Sequence, residues 1–247
     1  MNASHFPFPR KAMIFSAGLG TRFKPWTNEH PKALALVNGK PLLQRNIEYL
    51  QQYGIYEVIV NVHHFPEQVI DAIEKNKGWG SRVSISDESD YVLETGGGLM
   101  FAKELLKDTL PFLTLNADFL TNLDIHKLVN FHYQKKAFIS FGITNRKSSR
   151  NFLFDDESRL CGWENNVSGE KRISIEKHDL KPMAYSCVAL FNQDIFNNIN
   201  RQGKFSLVDV YLDLAASHPI YGFDHSGDKV VDVGKPESVS IAESMFD

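Results

Sequence analysis

The sequence predicts an α/β fold of three layers around a mostly parallel sheet, and three observations carry that expectation. Short apolar runs recur through the first half of the chain, of the kind shown by strands buried on both faces. Segments with helical spacing separate them, which implies right-handed crossovers and helices on both faces of the sheet. Between residues 150 and 181 the pattern switches to short segments rich in Phe, Asp, Asn and Gly, which read as hairpins of a β-rich lobe. No repeat, low-complexity tract or linker divides the chain. One domain over 1–247 is expected, with 1–10 as an N-terminal extension and 150–185 as the lobe.

Residues 11–17 (KAMIFSA) form the first strand, which runs into a glycine. Residues 41–53 read as a helix: Pro41 sits in its first turn, Leu42, Leu43, Ile47 and Leu50 make one face, and Gly54 stops it. A strand over 57–62, a helix over 67–75 with Val69, Ile70 and Ile73 inward, and a strand over 82–86 follow. A helix is expected after Gly98, then a strand over 111–115, a helix over 124–136 and a strand over 137–144. In the lobe, Asp155-Asp156 and Ser168-Gly169 are turn pairs. Residues 185–191 return to the core as a strand. A helix over 207–216, a strand over 230–233 and a helix over 236–245 complete the chain.

Composition narrows the function. Hydrophobic residues are 43% and charged residues 23% of the 247, the balance of a chain that buries a core. Twenty-seven Lys and Arg against 30 Asp and Glu leave a net charge of −3, which excludes a basic footprint for nucleic acid. A local cationic pocket for a small phosphate ligand is compatible with it. Cys161 and Cys187 are too few for a disulfide framework or a Cys-rich zinc site. No apolar run approaches the ~18 residues of a membrane span. Residues 1–10 contain two prolines and lack the apolar stretch of a secretory signal. A soluble, cytoplasmic protein with no membrane partner is the expectation.

The stretch SAGLGTRFKPWTNEHPK, residues 16–32, carries the chemistry. A strand ends, and Gly18 and Gly20 let the backbone turn tightly and present N–H groups to an anion. Thr21, Arg22, Lys24 and Lys32 follow, with no carboxylate until Glu29. Such a loop suits a polyphosphate, which needs its oxygens neutralised by donors fixed before reaction. It is not a P-loop, because Gly39-Lys40 is followed by Pro41. It is not a dinucleotide fingerprint either, because Phe23 stands where the third glycine belongs. An ordinary glycine turn with two solvated cations is the bland alternative.

These residues resemble the sugar-phosphate nucleotidyltransferases, the nucleotide-sugar pyrophosphorylases. The family pattern A-G-x-G-T-R-x-x-P, then P-K, then G-K-P, is matched by Ala17 to Pro25, by Pro31-Lys32 and by Gly39-Lys40-Pro41. The match continues at Glu94-Thr95-Gly96-Gly97-Gly98, at Asn116-Ala117-Asp118 and at Asp232-Val233-Gly234-Lys235-Pro236, so it spans nearly the whole chain. The E-T-G-G-G form is most similar to the short uridylyltransferases acting on N-acetylmuramic acid 1-phosphate, with mannose-1-phosphate guanylyltransferases as close relatives. The resemblance implies the Rossmann-like nucleotide-diphospho-sugar transferase fold. It implies transfer of a nucleotidyl group from a nucleoside triphosphate, UTP by preference over GTP, to a sugar 1-phosphate. The lobe then holds the sugar, and a homo-oligomer is left open.

The same resemblance assigns residues. Arg22 holds the leaving β- and γ-phosphates, and Lys32 stabilises the α-phosphate or the incoming sugar phosphate. Ala17, Gly18, Gly20 and Thr21, with Glu94, Gly96 and Gly97, meet the nucleotide, and base contacts are expected from 86–97 and near Asn61. Asp118 and Asp232, each just beyond a strand, are suited to Mg²⁺, which takes one or two carboxylates and completes its shell with substrate oxygens. Arg150, Asn151 and Lys177 are the candidates for the sugar phosphate. Glu176-Lys177 departs from the family's E-K-P motif because His178 replaces the proline. Adjacent His63 and His64 point to opposite faces of a strand end and make a poor metal pair. Two other readings share these features: a cytidylyltransferase for a phosphorylated alcohol, and a non-catalytic nucleotide-sugar-binding regulatory subunit.

Overall fold

In the computed structural model, residues 6–107 and 111–246 are described. The first half alternates strand and helix around a sheet: β1 (Lys11–Phe15), the short hairpin β2 (Leu36–Val37) and β3 (Lys40–Pro41), α1 (Leu42–Gln51), β4 (Glu57–Val62), α2 (Pro66–Lys75) and β5 (Arg82–Asp87). Then come α3 (Glu94–Phe101), α4 (Lys103–Leu106), β6 (Phe112–Asn116), β7 (Phe119–Thr121), α5 (Ile125–Gln134) and β8 (Ile139–Thr144). The lobe consists of β9 (Arg150–Phe154), β10 (Leu160–Asn165), β11 (Lys171–Ile173) and the long β12 (Lys181–Phe191). α6 (Ile195–Asn198), α7 (Leu207–Ala215), β13 (Ile220–Asp224), β14 (Val230–Asp232) and α8 (Glu237–Met245) follow.

The main sheet runs β13-β8-β12-β6-β1-β4-β5. β12 is antiparallel to both β6 and β8, while every other pairing in that row is parallel. The α/β sheet expected from the sequence is therefore the one observed. Side chains alternate across it: Met13 and Phe15 join the core under α3 and α7, and Ala12 and Ile14 join the core under α1 and α5. Both faces are covered, as a parallel sheet requires. A third apolar cluster of Phe23, Leu42, Leu120, Val231 and Val233 seats the loop after β1 on the β7–β14 ladder.

One long strand is shared by the lobe and the sheet. The first residues of β12, Lys181–Met183, pair with β9, and its last, Val188–Phe191, pair with β6. Its register against β8 shifts between Tyr185 and Ala189, a bulge that bends the strand where it leaves the lobe for the sheet.

Three differences from the sequence reading concern boundaries. β13 adds an edge strand where no element is expected, and β7 is a further short strand. The helix expected after Gly98 starts at Glu94, so the three glycines lie inside its first turns.

Candidate active site

The site is built at the carboxyl ends of β1, β4 and β6, where ligands bind in open parallel sheets. Asn61, the fifth residue of β4, ties the start of the loop in place. Its side-chain Oδ1 accepts the N–H of Ser16 at 2.7 Å and of Ala17 at 3.3 Å, and its Nδ2 donates to Glu88 at 3.0 Å. The Ser16 hydroxyl also donates to the Asn61 carbonyl. Gly20 turns the chain at φ +60, where a Cβ would stand 2.8 Å from Thr27. At Gly18 a Cβ would meet nothing within 4 Å, so that stretch of backbone faces open space.

Two cations of the loop reach the two carboxylates. Lys32 is buried, and its Nζ lies 2.5 Å from Asp118 Oδ2. Arg22 is more exposed, with its guanidinium 3.9 Å from Asp232 Oδ2. Asp118 leads into β7 and Asp232 ends β14, and the two strands pair, with Asp232 opposite Phe119. The Val233 N–H donates to the Asp118 carbonyl at 2.8 Å, which locks the carboxylates side by side. Gly234 is required here: a Cβ would sit 2.6 Å from Asp232 Oδ1 and 2.9 Å from the Arg22 guanidinium.

Asp232 Oδ1 is buried and has no hydrogen-bond partner among the described residues. Burial, and next the charge of Asp118, raise the Asp232 pKa above the usual carboxylate range, against the pull of Lys32, Arg22 and Arg146. This donor set fits a divalent cation: an unpartnered carboxylate oxygen beside a second carboxylate, at the edge of a cleft that admits substrate. Among the described residues no cluster of three or more His, Cys, Asp or Glu forms a metal cage. Protein oxygens alone would thus leave such an ion coordinatively open.

Two cavities open along this edge of the sheet, and the larger is lined by the pair. One, of about 430 Å³, is lined by Ala17–Thr21 of the loop, Asn61, Glu88, Glu94 and Lys204. Burial pushes the Glu88 carboxyl up to about 7, partly offset by the Asn61 bond and by His63. The other, of about 720 Å³, lies between Arg22, Asp118 and Asp232 on one side and the lobe on the other. Thr95 and Ser206 border both.

Most candidate residues from the sequence meet here. Arg22, Asp118, Asp232 and Arg150 line the larger cleft, Lys32 is bonded to Asp118, and Ala17, Gly18, Gly20, Thr21 and Glu94 line the smaller cavity. Gly96 and Gly97 do neither. Their N–H groups donate to the Phe205 carbonyl at 2.9 and 3.1 Å, and a Cβ on either would overlap the 203–205 segment. They are glycines because the chain itself packs against them. Asn151 is buried, with its amide on the Ser148 carbonyl. Lys177 stands 3.8 Å from Asp155 and does not line the cleft. Asn61 is occupied by the loop and by Glu88. His63 and His64 bond the carbonyls of Glu88 and Thr27 respectively. Sequence reading missed Arg146, which lines the cleft.

Cations and paired carboxylates gathered at the carboxyl ends of a parallel sheet belong to α/β proteins that handle phosphate esters. The nucleotidyl transferase family model matches residues 11–154, more than half of the chain, and the chain belongs to that family of sugar-1-phosphate nucleotidyltransferases. An N-acetylmuramate alpha-1-phosphate uridylyltransferase of Neisseria meningitidis serogroup B is 40% identical over 217 residues, covering 88% of this chain and 90% of the relative. A mannose-1-phosphate guanyltransferase of Schizosaccharomyces pombe is 33% identical over 244 residues, covering 96% of this chain but 64% of the longer relative. Among solved structures, HddC from Yersinia pseudotuberculosis, complexed with GMP-PN, superposes with a TM-score of 0.76 at 22% identity, covering 96% of this chain and all of that one, which supports the fold. No described helix is long and apolar enough to cross a membrane.

Proposed function

We propose that this chain transfers UMP from UTP to N-acetylmuramate α-1-phosphate, giving the UDP-sugar and pyrophosphate, with Mg²⁺ held by Asp118 and Asp232. The observation that carries the reaction is the bare, buried oxygen of Asp232 beside Asp118, flanked by Arg22 and Lys32 on the larger cleft. The choice of uracil and of this sugar is supported by the Neisseria relative, which is matched along nearly its whole length. The guanyltransferase relative is less identical and is a longer protein.

A phosphate oxygen of the sugar 1-phosphate attacks the α-phosphorus as the bond to the bridging β-oxygen breaks and pyrophosphate leaves. A phosphate nucleophile is already ionised near neutral pH, so positioning and charge neutralisation do the work, without a strong base. The free N–H groups about Gly18 face the triphosphate, and Arg22 pairs with its leaving end. Lys32 fixes Asp118 and adds positive charge near the α-phosphate. A divalent cation bound by the two carboxylates supplies Lewis-acid neutralisation of the reacting phosphate oxygens. Glu94 and Thr95 wall the nucleotide cavity, with Lys204 at 3.5 Å from Glu94 across its mouth.

The test is initial-rate pyrophosphate release with each of the four nucleoside triphosphates, below saturation, crossed with a panel of sugar 1-phosphates. UTP with N-acetylmuramate 1-phosphate is expected to give the highest kcat/KM. A preference for GTP with mannose 1-phosphate, or for CTP, moves the substrate and leaves the reaction class standing. Binding of nucleotide-sugar without any turnover identifies the regulatory-subunit alternative.

A further inference from the structure

The larger cleft contains a cation that no motif accounts for. Arg146 lies in the loop 145–149 just beyond β8, half-buried, and its guanidinium is fixed in two ways. One terminal nitrogen donates to the Tyr185 carbonyl at 2.9 Å, and the guanidinium stacks over the Phe119 ring at 5.5 Å. Phe119 follows Asp118 and pairs across the ladder with Asp232, so this ring belongs to the ladder that carries the two carboxylates. The Arg146 Nε–H, by contrast, is buried with no partner among the described residues, an unusual state for a group that normally finds one.

Three neighbouring cations are paired with carboxylates. Lys32 is on Asp118, Arg172 is on Asp209 at 2.7 Å, and Lys177 is beside Asp155 and outside the cleft. Arg150 lines the rim and is exposed. The strand order separates the points from which the two arginines leave the sheet. Arg22 follows β1 and Arg146 follows β8, and these strands lie on opposite sides of β6, which delivers Asp118. An in-line displacement places attacking and leaving oxygens on opposite sides of the α-phosphorus.

We infer that Arg146 grips the phosphate of the incoming sugar 1-phosphate, opposite Arg22, and aims its oxygen at the α-phosphorus. The inference rests on the nucleotidyl-transfer reading and adds a residue to it. It gives to Arg146 the task for which sequence resemblance nominates Lys177. A guanidinium pairs with two phosphate oxygens at once and stays charged at any working pH, which suits a fixed clamp.

Arg146→Gln, Arg146→Lys and Lys177→Gln are compared with the wild type by steady-state kinetics, varying each substrate in turn, with Lys147→Gln as a neighbouring control. Loss of a charged hydrogen-bonding pair predicts a rise in KM for the sugar 1-phosphate of roughly tenfold to a hundredfold in Arg146→Gln. KM for the triphosphate should stay within about twofold, the melting temperature should hold, and Arg146→Lys should recover only part of the loss. In reverse, KM for the nucleotide-sugar should rise while that for pyrophosphate does not. Equal effects on both substrates, no effect, or a larger effect in Lys177→Gln would overturn the assignment. Should the wild type release no pyrophosphate, the functional reading fails. Wild type and Arg146→Gln are then compared for equilibrium binding of N-acetylmuramate 1-phosphate, and equal affinity overturns the clamp on its own account.

Discussion

The smaller cavity and the larger cleft share a border at Thr95 and Ser206, yet their polar groups are in different states. Around the smaller cavity the chain bonds to itself. The Asn61 amide is engaged at both ends, Gly96 and Gly97 donate to Phe205, and the Thr95 hydroxyl accepts the Leu207 N–H at 2.9 Å. In the cleft, Asp232 Oδ1 and Arg146 Nε are buried and bare. Polar groups in the first region shape a receptacle that exists before any ligand arrives. Those in the second are left unsatisfied, a cost that the proposed function explains, since charged substrate groups would answer them.

The largest expected effect is in the cleft. Asp232→Asn removes the charge that a cation would meet, and turnover should fall by on the order of a hundredfold or more. Since burial and Asp118 already disfavour the ionised Asp232, the substitution should leave the melting temperature unchanged or slightly higher. Near-normal turnover, or a collapse in stability, would break the contrast between the two regions.

The next effect separates glycines that shape from glycines that touch. Gly97→Ala drives a Cβ into the Gly203 carbonyl, an overpacking worth about 1–3 kcal/mol, and should lower the melting temperature by several degrees. Gly18→Ala, into open space, should leave the melting temperature alone while weakening triphosphate binding. Thermal melts with and without UTP read both, and the reverse ranking would dissolve the distinction.

The smallest effect concerns pH. Glu88 is held up at about 7 in the fold and returns to an ordinary carboxyl when unfolded. Between about pH 4.5 and 7 the native state therefore holds a proton that the unfolded state has lost, so stability falls as pH rises through that window and levels off above it. Glu88→Gln should remove this component. His132, lowered to about 4 by burial, favours the fold in the opposite direction, losing stability as pH falls from about 6.5. The measurement is the wild-type minus variant difference in melting temperature across pH 4.5–8 without ligand, and a flat difference would sink the assignment.

Periodicity made the main strands and helices legible, because burial on both faces leaves apolar runs and crossover helices leave one apolar face. β7 and β13 were not legible: three residues carry no period, and Gly222 interrupts the other, its bare face pressed on Ile143 and Phe154. The phosphate loop and both aspartates could be named from strand-end position together with the family pattern. The glycines after Glu94 drew attention for a sound reason, close approach, but the approaching body is the chain's own 203–205 segment, which a linear reading does not bring near. Arg146 had no signal at all. An arginine among Asn, Lys and Ser in a polar loop looks solvated until β8 and β6 are known to bracket one strand.

That bracketed strand, β12, has a consequence for how such a molecule can be altered. Parallel strands all stop at the ligand edge, so none of them can roof it. The one reversed strand arrives from beyond that edge, passes over it with a bend near Cys187, and descends into the sheet. It is held at one end by β6 and β8 and carries the three lobe strands at the other, where the lobe also leans on α7 through Arg172 to Asp209 and Ser174 to the Leu212 carbonyl. Under the proposed function, residues carried on the lobe end can be exchanged for a different acceptor, while the sheet end keeps Asp118 and its partners in register.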